Sequence, residues 1–319
     1  MNKRERVMAA VRGERPDHLP SGFWLHFTGV EGMEETINAH MDFFSKTGAD
    51  LCKVMNENLL RTDLKITSPS DWDRLKPFSK HSKYIEDQIE LVKRVADKVD
   101  GSAVLLATIH GTVASVSHVH GGPLLYEDKQ IMAEHLRANP SGLKSAYEAV
   151  GEILAYIAEE CLKAGADGIY FAALGGERDF LTDEEFEEYV KPNDLAVLRA
   201  CENPSCFNIL HMCKDNLDLS RFVDYGGEVV NWGVHGVGNP SILEGAKLFP
   251  GRAVLGGLDD RSGVLVDGTE EDIRKAVKDV IDTFGTTKFL LGADCTVPSE
   301  ISLDRLACAV RAAAEYEIK

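Results

Sequence analysis

The chain has 319 residues, with 35 Lys and Arg against 52 Asp and Glu for a formal net charge of −17, and is 44% hydrophobic and 27% charged. That apolar fraction, with charge spread along the chain, excludes a disordered polyelectrolyte, and the acidic balance excludes a nucleic-acid binder built on a basic face. No apolar run reaches the ~18 residues of a spanning helix and the first twenty residues lack the apolar centre of a signal peptide, so a soluble cytoplasmic protein without a membrane partner is expected.

In chain order, short apolar and β-branched runs alternate with stretches of helical periodicity. A strand over 21–27 precedes a helix over 33–47, and a strand over 50–55 precedes one over 85–99. The third strand, 102–108, is followed by helices over 126–138 and 141–164, and Gly165 closes the second of these. A strand over 168–173 leads to a helix over 183–201, opened by a capping box of Thr182 and Glu185. The last four units are strands 207–211, 229–234, 253–258 and 288–293 with helices 217–225, 240–248, 270–284 and 303–315.

Eight such units without a linker predict a single (β/α)8 TIM barrel over 1–319, because parallel strands need helical crossovers and closure removes the exposed edges. An open doubly wound sheet would want a glycine-rich loop after the first strand, and 23–29 offers none. The stretch over about 56–83 is too long for an ordinary connection and reads as an insertion or lid.

Function in a barrel sits at the carboxyl ends of its strands. His211 and Cys213 stand two apart at the end of the fifth predicted strand, which aims both to one side. Cys295 occupies the equivalent position after the eighth. One imidazole and two thiols suit zinc, and three protein ligands leave a position open as in catalytic sites. The seven cysteines, an odd number with no export signal, argue against a disulfide framework. Cys161, Cys201 and Cys308 read as packing residues within helical patterns, and Cys52 and Cys206 as core or rim. His110 reads as a base, a ligand or a loop histidine. Glu177, behind Gly175 and Gly176, reads as a fourth ligand, a general base or the partner of Arg178 or Arg137. Asp259 is similarly placed after the seventh strand. Trp232 and His235, after the sixth, are expected to line an apolar wall for a cofactor, unless Trp232, as a strand aromatic, is plain core.

The opening 4–20, the stretches 165–169 and 256–259, and Leu291-Gly292-Ala293-Asp294-Cys295-Thr296-Val297-Pro298 together resemble the uroporphyrinogen decarboxylase superfamily over almost the whole chain. Its fold is a single (β/α)8 barrel. True decarboxylases of that superfamily carry an arginine-bearing segment after the first strand, and 23–29 holds no arginine. His-x-Cys followed far downstream by Cys resembles instead the zinc signature of the corrinoid-dependent methyltransferases, which include the methylcobamide:coenzyme M methyltransferases, and His211, Cys213 and Cys295 match it one for one. The resemblance implies a zinc-dependent methyltransferase that moves a methyl group between a corrinoid (cobamide) protein docked at the barrel mouth and a small thiol, methoxy or methylamine-type substrate. The alternatives are a metal-free decarboxylase acting on a porphyrinogen or other carboxylated substrate, and a noncatalytic corrinoid- or tetrapyrrole-binding protein.

Overall fold

The computed structural model describes residues 1–120, 129–203 and 206–318. Eight parallel strands form one sheet: β1 (Ser21–Gly22), β2 (Leu51–Val54), β3 (Val104–His110), β4 (Gly168–Ala173), β5 (Ile209–Met212), β6 (Val229–Trp232), β7 (Ala253–Leu258) and β8 (Phe289–Ala293). The ladder runs from β2 in sequence order to β8, then to β1. The Asp50 N–H donates to Ser21 O at 2.8 Å and draws β1 against β2, so the sheet curls into the predicted barrel.

Alternation along each strand sorts its side chains into two cores. Outward residues such as Leu210, Met212, Phe171 and Phe289 pack under the helices, while Leu51, Val104, Leu106, Tyr170, Ile209, Val229, Leu255 and Leu290 fill the barrel. Toward the carboxyl ends the same inward rows turn polar: Lys53 on β2, Thr108 and His110 on β3, His211 on β5 and Asn231 on β6. An apolar floor thus carries a polar ring at the mouth.

The opposite end is plugged by a helix over Lys3–Arg12, which the periodicity did not predict; its Val7 and Val11 join the inner core. Asn2 and Glu5 close a capping box on it, a start signal present in the sequence. A second unpredicted helix spans Thr112–His120. The predicted helix over 126–138 is present as Lys129–Ala138, its start lying outside the described residues. The predicted helix 217–225 is only a 3-10 turn, Leu219–Phe222, and 183–201 contains a π-helical turn, Phe186–Val190, between Asp183–Glu185 and Lys191–Ala200. Within 56–83 the regular element is a 3-10 turn over Pro69–Arg74, pinned by Trp72, whose indole N–H donates to His135 Nδ1 at 3.1 Å. Among the described residues no helix is long and apolar enough to cross a membrane.

Candidate metal centre at the barrel mouth

His211 ends the inward row of β5 and Cys213 follows two residues later, while Cys295 comes from the turn after β8. One ligand atom from each lies within 4.8 Å of the other two, the only such His, Cys, Asp or Glu group among the described residues. His211 Nε2 is 3.3 Å from Cys295 Sγ, and the two sulphurs are 3.8 Å apart. Tetrahedral zinc with bonds of about 2.3 Å to sulphur and 2.0–2.1 Å to nitrogen separates two sulphurs by ~3.8 Å and a nitrogen from a sulphur by ~3.5 Å. The donor set and these two separations match the ion's tetrahedral geometry.

The protonation pattern agrees. The hydrogen bond with Cys213, set against burial, pulls the Cys295 thiol well below its ordinary range, while the same bond and burial raise that of Cys213. The imidazole is oriented by Asn231, its register partner across the β5–β6 ladder. Asn231 Nδ2 donates to Leu255 O at 2.9 Å and Ala293 O at 3.2 Å, which leaves Oδ1 to accept from His211 Nδ1 at 2.6 Å and from the Tyr170 hydroxyl at 3.1 Å. The proton sits on Nδ1, and the Nε2 lone pair faces the sulphurs. The Tyr170 ring stacks on His211 at 5.3 Å between centroids.

Two cavities meet at this cluster. One, of about 450 Å³, is lined by His26, Lys53, His110, His118 and Tyr170 among others; the second, of about 380 Å³, is lined by Asp215, His235, Asp259, Asp260 and Asp294. In the first, burial pushes His110 down to about 3, helped by His118 and Lys53. In the second, burial and the Cys295 charge push Asp260 up to about 6.

The other predicted residues are spread around the mouth. His110 lines the first cavity. Asp259 lines the second, where its carboxylate accepts the N–H groups of Arg261 and Ser262 at 2.8 and 3.0 Å. His235 faces the same cavity, its N–H and Nδ1 bonded to Asp294 Oδ2 at 2.7 and 2.9 Å; that carboxylate raises the His235 pKa. Glu177 is buried outside the three-ligand group: its Oε2 accepts the N–H of Gly175, a glycine held at φ 88°, at 3.0 Å. Trp232 lines neither cavity. Alternation turns Asn231 inward and Trp232 outward, where its indole N–H donates to Pro240 O at 3.0 Å and its ring packs against Gly245; the expected apolar wall beside His235 is not formed by Trp232. Sequence reasoning passed over Lys53, Tyr170 and Asn231. The signal for them was the inward register of each strand, 51-53-55 on β2 and 229-231 on β6.

The arrangement is the mouth of a (β/α)8 barrel at which one imidazole and two thiols converge. The chain belongs to the uroporphyrinogen decarboxylase (URO-D) family, whose profile matches residues 61–316. No curated protein sequence matches it. Among solved structures, a methyltransferase from Methanosarcina mazei superposes with a TM-score of 0.71 at 15% identity, covering 99% of both chains. A B12-independent methionine synthase from Shewanella sp. W3-18-1, in complex with selenomethionine, gives 0.58 at 15% identity over 93% of this chain and 95% of its own. A putative vitamin-B12-independent methionine synthase from Listeria monocytogenes gives 0.56 at 14% over 95% and 96%. At these identities the likeness is one of fold.

Proposed function

We propose that the protein is a zinc-dependent methyltransferase that moves a methyl group between a corrinoid (methylcobamide) protein docked at the barrel mouth and a small thiol or methylated substrate. The observation that carries this reading is the His211, Cys213, Cys295 cluster, with its ligand atoms at 3.3 and 3.8 Å where two cavities meet. Zinc bound there would supply an open coordination position at which a thiol ionises near neutral pH.

The chain's own residues do the rest. Asn231 keeps the His211 Nε2 lone pair directed at the sulphurs. Tyr170 stacks on the imidazole and restricts its rotation. Met55, Leu59 and Ala114 give the larger cavity an apolar part beside the cluster. The open outer side leaves the rim loops free to dock a carrier protein. The name of the M. mazei neighbour, a methyltransferase, points the same way. The decarboxylase alternative draws no support from the lining: Arg261 is the one arginine in either cavity among the described residues.

Elemental analysis of the tag-free protein beside Cys213→Ser and Cys295→Ser tests the reading. The expected result is about one zinc per chain in the parent, little in either variant, and unchanged circular dichroism, because removing a catalytic ligand leaves a large barrel folded. Methyl transfer from methylcobalamin to a panel of thiols should disappear with the metal. A parent that neither contains zinc nor takes it up would overturn the proposal.

A further inference from the structure

One buried amine at the mouth has no role in building the cluster. Lys53 projects from β2 into the larger cavity, only 9% exposed. Among the described residues no carboxylate meets its amine. Its hydrogen-bond partner is the Met55 thioether at 3.2 Å, and Nζ lies 4.0 Å from the Tyr170 ring centre and 4.8 Å from that of Trp24. An ammonium held this way has lost its hydration without gaining an anion, and the two aromatic faces return only part of that cost. Tyr170 stacks in turn on His211, so the amine shares one wall with the cluster and one cavity with both sulphurs.

We propose that Lys53 is the proton acceptor for the thiol substrate, an inference that rests on the thiol reading above. The substrate S–H bond breaks, its electron pair stays on sulphur, and the proton passes to the lone pair of the neutral Lys53 amine. A neutral pair becomes a thiolate and an ammonium facing each other, so the cavity's net charge does not change. Once methylation converts the thiolate to a neutral thioether, the ammonium has no counter-charge and returns its proton to water.

The other groups facing Lys53 are poorly suited to the task. His110 and His118, on β3 and the helix after it, are pushed by burial down to about 3 and about 4. His40, on the helix behind β2, is held at about 4 with Nε2 occupied by the Met55 N–H. Glu57 is held ionised beside His26, below its usual range. Tyr170 is driven upward by burial and stays protonated. Cys213 and Cys295 are the metal's own ligands in this reading, and Lys214 and Arg261 line the same cavity. Burial brings Lys53 down to about 7, against the upward pull of Cys295, Glu57 and Cys213, within reach of a thiol's proton.

The test counts protons. Zinc-loaded protein is titrated calorimetrically with 2-mercaptoethanol at about pH 7.5 in phosphate and in Tris, whose ionisation enthalpies differ, beside Lys53→Met and Lys53→Gln checked for fold and zinc content. Free 2-mercaptoethanol is almost wholly protonated at this pH and must give up its proton to bind as a thiolate, so about one proton per thiol should reach the buffer from either variant and less than about half from the native protein. Equal release from native and variants, whether near one proton or near none, would overturn the role of Lys53. Absence of binding heat in the zinc-loaded native protein would overturn the thiol reading itself. That outcome is distinct from a native protein that binds thiol and releases the full proton.

Discussion

The carboxamide of Asn231 is held at both ends, its nitrogen by two strand carbonyls and its oxygen by Tyr170 and His211, so it cannot flip without losing all four bonds. That fixes the His211 tautomer before any metal arrives. Asn231→Leu removes the acceptor while keeping the branched outline of the side chain, and the freed imidazole can turn its proton toward the sulphurs. Zinc affinity should fall about 10–100-fold, as when other outer partners of metal-bound histidines are removed, and chelator competition measures it. An unchanged affinity would assign the orientation of His211 to the Tyr170 stack alone. The contrast between His211 and Asn231 shows what one sequence can reveal. His211 and Cys213 were legible because two soft ligands two residues apart on a strand have a chemical reason to coincide. Asn231 and Lys53 sit in Val-Val-Asn-Trp and Leu-Cys-Lys-Val, where apolar neighbours read as core, and only the β5–β6 register places 231 opposite 211.

At the scale of elements, amphipathic helices were readable to the residue and irregular ones were not. Met33–Thr47, Glu270–Phe284 and Leu303–Glu315 match their predicted bounds because one face is apolar and the ends are marked, as by Gly48 after the first and Thr269 before the second. Thr112–His120 was missed because its apolar residues follow no helical stripe and the stretch read as part of the connection after the third strand. It folds as a helix because it is buried nearly all round and Asp194 accepts both the N–H and the hydroxyl of Thr112 at its start. The first strand shrinks from 21–27 to Ser21–Gly22 since the chain leaves the ladder at Phe23, rejoining through a bridge between Leu25 and Val297. Met33–Thr47 is tied to the end of β2 by His40, whose Nδ1 donates to Thr36 O at 2.7 Å and whose Nε2 accepts the Met55 N–H at 2.9 Å. Burial lowers His40 to about 4, whereas the unfolded histidine titrates near ~6.5. Between these values the unfolded chain binds the extra proton, so stability falls as pH drops through the window, by up to about 1.4 kcal/mol per pH unit for this group. His110 and His118, also lowered, act in the same direction. Urea unfolding from pH 7 down to about 4 should show this loss, and His40→Gln, while less stable at neutral pH, should show a shallower one. Parallel pH profiles for the two proteins would remove His40 as a source of acid sensitivity.

Across the whole molecule, the polar ring of the mouth and the ion pairs that close the barrel occupy opposite ends. The mouth carries the thiol and imidazole cluster, and the far end carries a bolt across the seam that the strand ladder leaves between β1 and β2. Arg6, on the helix that plugs that end, reaches Asp50 Oδ1 with Nη1 at 2.6 Å and Asp17 Oδ1 with Nε at 2.7 Å. The second oxygen of Asp50 accepts the Ser21 N–H at 2.9 Å. One carboxylate thus joins the plug helix, β1 and the start of β2. Asp50 is 2% exposed, so Arg6→Met would leave its carboxylate without its ion-pair partner away from water and should cost about 3–5 kcal/mol, the usual penalty for breaking a buried pair from one side. Arg6→Met combined with Asp50→Leu removes the unpartnered carboxylate but also the Ser21 acceptor, so the double variant should recover part of the loss and not all of it. Urea midpoints measure both. Zinc content should stay at the parent level in each folded variant, since the ligands hang from the opposite ends of β5 and β8. Loss of metal alongside stability would mean that closing the seam also sets the geometry of the mouth, and that His211, Cys213 and Cys295 depend on the barrel being shut.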